Sequence, residues 1–437
     1  MKPPHWKESS GSEKDTKSVW GKKNQSIEVQ IGFSDLQASS KKGAESAPTK
    51  DTLARKLTAS VQRISIERPS AKQWHTMSRA EHSTCLAIVE QIKSVIRVSG
   101  KNANPRSLEV LREAFDDMVV GSLVTSDFNL QFDAGALLRS IKSLAEQTYE
   151  NSSLSFGCLI SPKAKPKATA RFPHDFLGAK RFRSLSDGFA TAYHIGGNGA
   201  LKEFLSLNEC TYHEGLTGHH YYPLWAEDLA ACTRGGRCGI ALTRHGDILI
   251  FKEGSLLWTY RFGRWQMWNH AALSQLLTNL LRGQKTPLQT SAKLARAVYR
   301  ASLDAAFRRR GALFVVLEAR THLKSVAAQD DHIDRRPAGS TEAVFDGALG
   351  DLVLQAMPRP TLAELASLDG AVITDRGGRV LSYGAVMRPR KKGRIKGTEG
   401  SRTKAAIGAS NYGTAVKVSS DGQISIYFEG EEFLRLG

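Results

Sequence analysis

Residues 311–317 read Gly-Ala-Leu-Phe-Val-Val-Leu. A run of seven small and apolar residues, with an aromatic and two β-branched side chains, predicts a strand buried on both faces. Its flanks alternate between helix and strand. Upstream, Thr286 and Pro287 form a helix-start signature, after which Leu294, Ala297, Val298, Ala301 and Ala305 share one helical face. Downstream, Thr361 and Glu364 have the spacing of a capping box and open a short helix that ends just before Asp369. Ala371-Val372-Ile373-Thr374 and Val380-Leu381-Ser382-Tyr383 flank Gly377-Gly378 and predict a hairpin. A helix from near Ser401, then strands at 414–418 and 423–428 around Asp421-Gly422, complete one mixed-sheet domain over 287–437.

Further upstream the pattern loosens. Over 156–286 a buried strand at Gly157-Cys158-Leu159-Ile160 precedes a basic run of Lys163, Lys165, Lys167 and Arg171. A β-meander follows: Ile240-Ala241-Leu242, Ile248 to Phe251 and Leu256 to Tyr260, with turns at His245-Gly246, Glu253-Gly254 and Gly263. Over 66–155 the chain reads as helical. Ser78 and Glu81 make a capping box ahead of Cys85, Ile88, Val89, Ile92, Val95 and Ile96, and two more helices fall at about 105–120 and 135–149. Residues 1–65, rich in serine and lysine and without sustained periodicity, read as a disordered basic tail. No internal repeat of fixed period is evident. The fold class is therefore α/β: a C-terminal mixed-sheet domain behind a helical and meander-containing half and a tail.

With 437 residues, 41% apolar and 24% charged, the chain is neither disordered throughout nor a small disulfide scaffold. No stretch approaches eighteen apolar residues, and no apolar run follows the basic start, so neither a membrane span nor a secretory signal is expected. The five cysteines fit a reducing compartment, which makes the expected location cytoplasmic. A net charge of +18 favours anionic partners such as nucleotides, nucleic acids or acidic lipids.

The densest charge lies between the hairpin and the last helix. Arg388, Arg390, Lys391, Lys392, Arg394, Lys396, Arg402 and Lys404 face one acid, Glu399, while Gly393, Gly397 and Gly400 let backbone approach a ligand. The run feeds a helix start at Ser401-Arg402-Thr403-Lys404, where free N–H groups, a hydroxyl and two cations suit a polyphosphate. Asp369-Gly370-Ala371 offers a carboxylate for a metal ion or a ribose hydroxyl.

In this order, the strand 311–317, Asp369-Gly370-Ala371 and Gly400-Ser401-Arg402-Thr403-Lys404-Ala405-Ala406 together resemble the diadenylate cyclase (DAC) domain. That family carries a D-G-A motif and, downstream, G-T-R-H-R-A-A; the likeness covers about 150 residues. It implies that Asp369, Gly370, Ala371, Ser401, Arg402, Thr403 and Lys404 bind an adenine nucleotide. Asp369 would lie beside a divalent ion and act in catalysis if the domain is active, with Mg²⁺ or Mn²⁺ as cofactor. It also implies pairing of domains face to face as a homo-oligomer. Thr403 replaces the family histidine, Lys404 its second arginine, and Asn411 a frequent glutamate. These departures resemble the divergent sensor variants called DACNV. The expected function is thus binding of an adenine nucleotide or a nucleotide-derived signal. An active cyclase making cyclic di-AMP from two ATP is the rival, and a nucleic-acid-binding module resting on charge is third.

Other clusters weigh less. Cys210, His213, His219, His220, Cys232 and Cys238 are zinc-ligand types at no standard spacing, so zinc is not expected. Asp330, Asp331, His332 and Asp334 read as a solvated loop, and Gly196-Gly197-Asn198-Gly199 as a turn. Cys158 has no visible base. Trp258, Trp265 and Trp268 beside Arg261 and Arg264 read as core rather than as a base-stacking surface.

Overall fold

The computed structural model describes residues 18–20, 26–30, 63–67, part of 83–91, 105–162, 185–283, 286–388 and 400–436, apart from 210, 212–214 and 351. The chain packs as two units, one of residues 1–69 and 76–140 and the other of 70–75 and 141–437. The fold is mixed α/β.

In the first unit, β1 (Ser18–Trp20), β2 (Ser26–Gln30) and β3 (Arg63–Glu67) form an antiparallel sheet. The first two strands and the start of the third fall in the stretch 1–65 read as a disordered basic tail. Ile27 and Val29 alternate with Ser26, Glu28 and Gln30, and Ile64 and Ile66 with Arg63, Ser65 and Glu67, a period-two signal outweighed by composition. Helix α1 (Pro105–Asp127) runs longer than its periodicity suggested, and α2 (Ala134–Ala145) is capped by Asp133, whose Oδ1 accepts the Gly135 N–H at 2.8 Å. A β-carbon at Gly121 would overlap the Gly135 backbone, so these glycines let the helices touch. The Ser78–Glu81 box lies outside the described residues.

Helix α2, expected to run to about residue 149, ends at Ala145. β4 (Thr148–Tyr149) and β5 (Ser152–Ser153) form a hairpin instead, turned by Glu150 and Asn151 at φ 48° and 62°. The strands β6 (Phe156–Ser161), β7 (Thr191–Gly196) and β8 (Leu201–Ser206) follow, then α3 (Glu227–Cys232). The meander is β9 (Cys238–Leu242), β10 (Ile248–Lys252), β11 (Ser255–Arg261) and β12 (Arg264–Met267). These strands make one sheet in the order β12-β11-β10-β9-β6-β7-β8.

Two helices, α4 (His270–Leu281) and α5 (Leu288–Phe307), lead to β13 (Ala312–Leu317). Short helices α6 (Leu323–Val326), α7 (Thr341–Leu349) and α8 (Arg359–Ala366) precede the hairpin of β14 (Ala371–Asp375) and β15 (Val380–Ala385). Helix α9 (Ser401–Ala409) and the strands β16 (Gly413–Val418), β17 (Ile424–Phe428) and β18 (Glu431–Leu436) close this sheet, ordered β15-β14-β13-β16-β17-β18. β13 is buried throughout, as its composition required. It pairs parallel with β14 and antiparallel with β16.

Two expectations are corrected. Thr361 and Glu364 do not form a capping box: the helix starts two residues earlier behind Pro358, with a proline in its first turn. Glu364 turns outward instead, accepting Arg308 and Arg310 at 2.9 and 3.0 Å. The chain also has a further strand, β18, where only Leu434 and Leu436 are buried and the apolar signal is thin.

Both sheets share one apolar core, with Leu159, Phe251, Leu294, Val298, Phe314 and Ile426 among its members. Arg261 joins them by polar bonds. Its Nε donates to Asp247 at 3.1 Å, Nη1 to the Gly422 carbonyl at 3.0 Å and Nη2 to the Ala306 carbonyl at 2.9 Å. Within this core His270 is held neutral. Its Nε2–H donates to the Leu256 carbonyl at 2.6 Å, while Nδ1 accepts from the Tyr299 hydroxyl at 2.8 Å. Burial lowers its pKa to about 4.

The unfolded chain binds a proton near pH 6.5 that the folded chain refuses until about pH 4. This contribution is complete above about pH 6.5 and declines as pH falls toward 4, by about 3 kcal/mol. His270→Phe should lower the urea midpoint at pH 7 and narrow its deficit from wild type between pH 6.5 and 4. A deficit that stays constant across this range would contradict the assignment.

Candidate functional site

The start of α9 meets the start of β14 at one edge of the second sheet. Gly400 sits at the N-cap with φ −64° and ψ 159°, and no side chain caps the helix. The first N–H groups of α9 therefore have no intrahelical partner. Arg402 lies across Gly311, where a β-carbon would overlap its guanidinium. Its Nη2 stands 3.5 Å from Asp369 Oδ1, a loose contact between a carboxylate fully in solvent and an arginine one-third exposed. Both can turn toward a ligand at little cost.

The structure thus brings Asp369 and Arg402 together from the two segments, 33 residues apart in sequence. Ser401 and Lys404 are exposed on the first turn, and Thr403 is half-buried. Thr403 Oγ1 accepts from Lys417 Nζ at 2.8 Å. Lys417 is a cation that sequence reasoning missed. It was visible as the one charged residue within the apolar run Thr414 to Val418, on the face it shares with Ala415.

Gly370 and Ala371 shape the floor of the site. Gly370 has φ 115°, and a β-carbon there would overlap the Gly384 backbone on β15. Only glycine allows this close crossing. Of the basic run, Arg388 and Gly400 are described, and the cations between them lie outside the described residues. The Arg388 N–H donates to the Val326 carbonyl at 2.8 Å, which ties the exit of β15 to α6.

The remaining candidates are dispersed. Cys232 and Cys238 are buried and not joined in a disulfide, while Cys210 and His213 lie outside the described residues. Thr217 holds His220, and His219 meets Arg296 at 3.4 Å. Among the described residues no three His, Cys, Asp or Glu side chains converge as a metal site, and Asp330, Asp331 and Asp334 occupy two 3₁₀ turns around a buried His332. Gly196 to Gly199 form the tight β7–β8 turn, closed by the Gly199 N–H on the Gly196 carbonyl at 2.8 Å. Burial raises the Cys158 thiol far above its usual range. Arg261, Trp258 and Trp268 are buried and offer no face to a base.

One polar chain was not foreseen. Ser161 Oγ lies 2.7 Å from His194 Nε2, and His194 Nδ1 lies 2.8 Å from Glu203 Oε1, across β6, β7 and β8. Burial lowers the His194 pKa, so the imidazole is neutral and bridges the serine and the carboxylate. His194 and Glu203 face each other across the β7–β8 hairpin, Ser161 lies 33 residues from His194, and no sequence motif marks the three; strand register aligns them.

No protein-family model and no curated protein matches the chain. Solved structures similar to part of it include the following two. The crystal structure of a DacA double mutant from Staphylococcus aureus is 22% identical at a TM-score of 0.24, over 34% of this chain and 90% of that one. A hypothetical membrane spanning protein from Bacillus cereus is 18% identical at a TM-score of 0.24, over 38% of this chain and 76% of that one. A likeness this slight says nothing of activity. No helix among the described residues is long and apolar enough to cross a membrane.

Gly370→Ala should cost about 2 kcal/mol or more, since it adds strain at positive φ to a backbone overlap. A urea titration reads this directly, and a loss under about 0.5 kcal/mol would refute the close crossing.

Proposed function

We propose that the second sheet binds an adenine nucleotide or a nucleotide-derived signal at the edge formed by Asp369 to Ala371 and Ser401 to Lys404, and acts as a sensor. The observation that carries this reading is the meeting of Arg402 and Asp369 beside an uncapped helix start. Backbone N–H groups, Arg402, Lys404 and Lys417 supply donors and positive charge for phosphates, and the Asp369 carboxylate accepts a ribose hydroxyl. The D-G-A and G-S-R-T-K-A-A segments supply the adenine preference through their resemblance to the DAC domain. Asn411, where the family often has glutamate, is spent on the end of α9, donating to the Ile407 and Gly408 carbonyls at 3.3 and 3.0 Å.

The rival reading is a cyclase that joins two ATP, with Asp369 as the metal-side carboxylate. Its full exposure is the feature in favour. Mg²⁺ or Mn²⁺ held by one carboxylate, water and substrate phosphates is ordinary coordination for such ions. Thr403 counts against it. Its hydroxyl is engaged by Lys417 and carries no charge to align a triphosphate. Phosphoryl transfer depends on positioning, so a drifted clamp binds well and reacts poorly.

Titration of the purified chain with ATP and Mn²⁺, followed by product analysis, tests both readings. Arg402→Ala should weaken binding about tenfold to a hundredfold, because a charge-assisted hydrogen bond contributes roughly 1.5–3 kcal/mol. Unchanged affinity in the folded variant would remove the phosphate role. Cyclic di-AMP should form slowly or not at all. Robust turnover, abolished in Asp369→Ala, would make the cyclase the correct reading.

A further inference from the structure

The two sheets of the second unit repeat one another strand for strand. β6 pairs parallel with β7 and antiparallel with β9, as β13 does with β14 and β16. β8 then corresponds to β15, β10 to β17 and β11 to β18, and only β12 lacks a counterpart.

The correspondence extends to single residues. Ser161 stands opposite Gly196 as Leu317 stands opposite Asp375. The β7–β8 and β14–β15 hairpins have loops of equal length, and both slip register at an equivalent pair, His194/Ile195 and Ile373/Thr374, with β14–β15 slipping once more at Ala371/Ile373. The next turns match again. Thr243 and Asp247 exchange the bonds that Ser419 and Gln423 exchange, around Gly246 and Gly422 at φ 79° and 91°. Glu253-Gly254 and Glu429-Gly430 then make two-residue turns at φ 47° and 76°, and 52° and 77°. A register slip precedes each, at Ile250/Phe251 and Ile426/Tyr427. Even the anchoring hydroxyls agree. Thr233 accepts the Gly254 N–H and donates to the Ala230 carbonyl, and Ser410 accepts the Gly430 N–H and donates to the Ile407 carbonyl. Common architecture fixes strand order; it does not fix bulges, turn conformations and hydroxyl anchors together.

Aligning Thr233 with Ser410 lays residues 224–232, a 3₁₀ turn continued by α3, on α9. Trp225 then falls on Arg402 and Glu227 on Lys404. In the register that sets Gly196 on Asp375, Ala190-Thr191 fall on Asp369-Gly370. The first copy has lost the Asp-Gly pair as well as both cations.

Its corresponding face is also covered. Leu159 and Ala192 lie in the core shared between the sheets, whereas their counterparts Val315 and Ala371 lie in a separate cluster on the α9 side. At the start of the 224–232 segment, the Leu224 N–H donates to Asp304 Oδ1 at 2.7 Å. Asp304 is fully buried and paired with Arg359 at 2.7 and 2.8 Å, and Arg359 also donates to the Tyr222 carbonyl. Where the second copy is open, the first holds a carboxylate from α5.

We infer that the second unit is a tandem duplication of one fold in which only the second copy keeps a ligand site, the matching face of the first having become the seat on which the second is mounted. The site count rests on the nucleotide reading above; the duplication does not.

Calorimetric titration of the full chain with ATP should give one equivalent per chain, weakened at least tenfold in Arg402→Ala and unchanged in Glu227→Gln. Two equivalents, or one that survives Arg402→Ala and is lost in Glu227→Gln, would overturn the assignment. If wild type takes up no ATP, the nucleotide reading fails, and a crystal structure of the full chain decides the duplication. Superposition of β6–β11 on β13–β18 should then bring His194/Ile195 onto Ile373/Thr374, Ile250/Phe251 onto Ile426/Tyr427 and both Glu-Gly turns into coincidence; failure of these slips and turns to coincide would refute it.

Discussion

The buried guanidinium of Arg261 is the interaction on which the arrangement of the second unit depends. Arginine does not give up its proton in a protein, so this charge has to be matched where it lies. Burial lowers the Arg261 pKa and raises that of Asp247, and each is countered by the other's charge, with Arg309 as a second partner of Asp247 at 2.7 Å. The carbonyls of Ala306, Asp421 and Gly422 accept from its Nη groups, so the end of α5 and the β16–β17 turn must both stand where β11 can reach them. Gly422 cannot carry a side chain, because a β-carbon there would overlap both the guanidinium and the Ala306 carbonyl. Asp304 and Arg359 repeat the principle on the other side of α5. Removing one partner of such a pair typically costs 3–5 kcal/mol, more than most apolar truncations at a surface.

With the end of α5 clamped from two sides, the second sheet presents its far side freely. The candidate site lies on that side and is built from elements with little play. α9 packs its Ala406, Ile407 and Ala409 against Val315 and Tyr427, and β14 is buried along its whole length. The groups that would meet a ligand, Arg402, Lys404 and Asp369, are by contrast only lightly held. A rigid frame carrying adjustable charges suits recognition of an anion better than in-line chemistry, where small misplacements are costly.

Much of this was legible in the sequence. The buried strand 312–317, the hairpin at Gly377-Gly378, the meander and the helix at Ser401 all follow from local periodicity and turn residues, which act within a few positions. The meeting of Asp369 with Arg402 was legible only through the order of two motifs. What escaped depended on long-range register. Lys417, the Ser161–His194–Glu203 chain and the Asp304–Arg359 pair are fixed by which strand or helix lies beside which. Thr361 and Glu364 misled because Pro358 and Pro360, just ahead of them, start the helix at Arg359 more firmly than a hydroxyl does. The repeat escaped because its two copies share turns and bulges more than side chains.

That divergence has a bearing on how the chain reaches its native state. Two tandem copies of one topology invite a strand of one to enter the other's sheet during folding, a known hazard of repeated domains. Here an exchange between β9 and β16 would carry Lys417 to the place of Ala241, inside an apolar core, and leave Ala241 opposite Leu313. Exchange of β11 with β18 would strip Asp247 of Arg261. Each misassembly strands a charge without its partner, so the polar pairs that differ between the copies also act as proofreaders of strand identity.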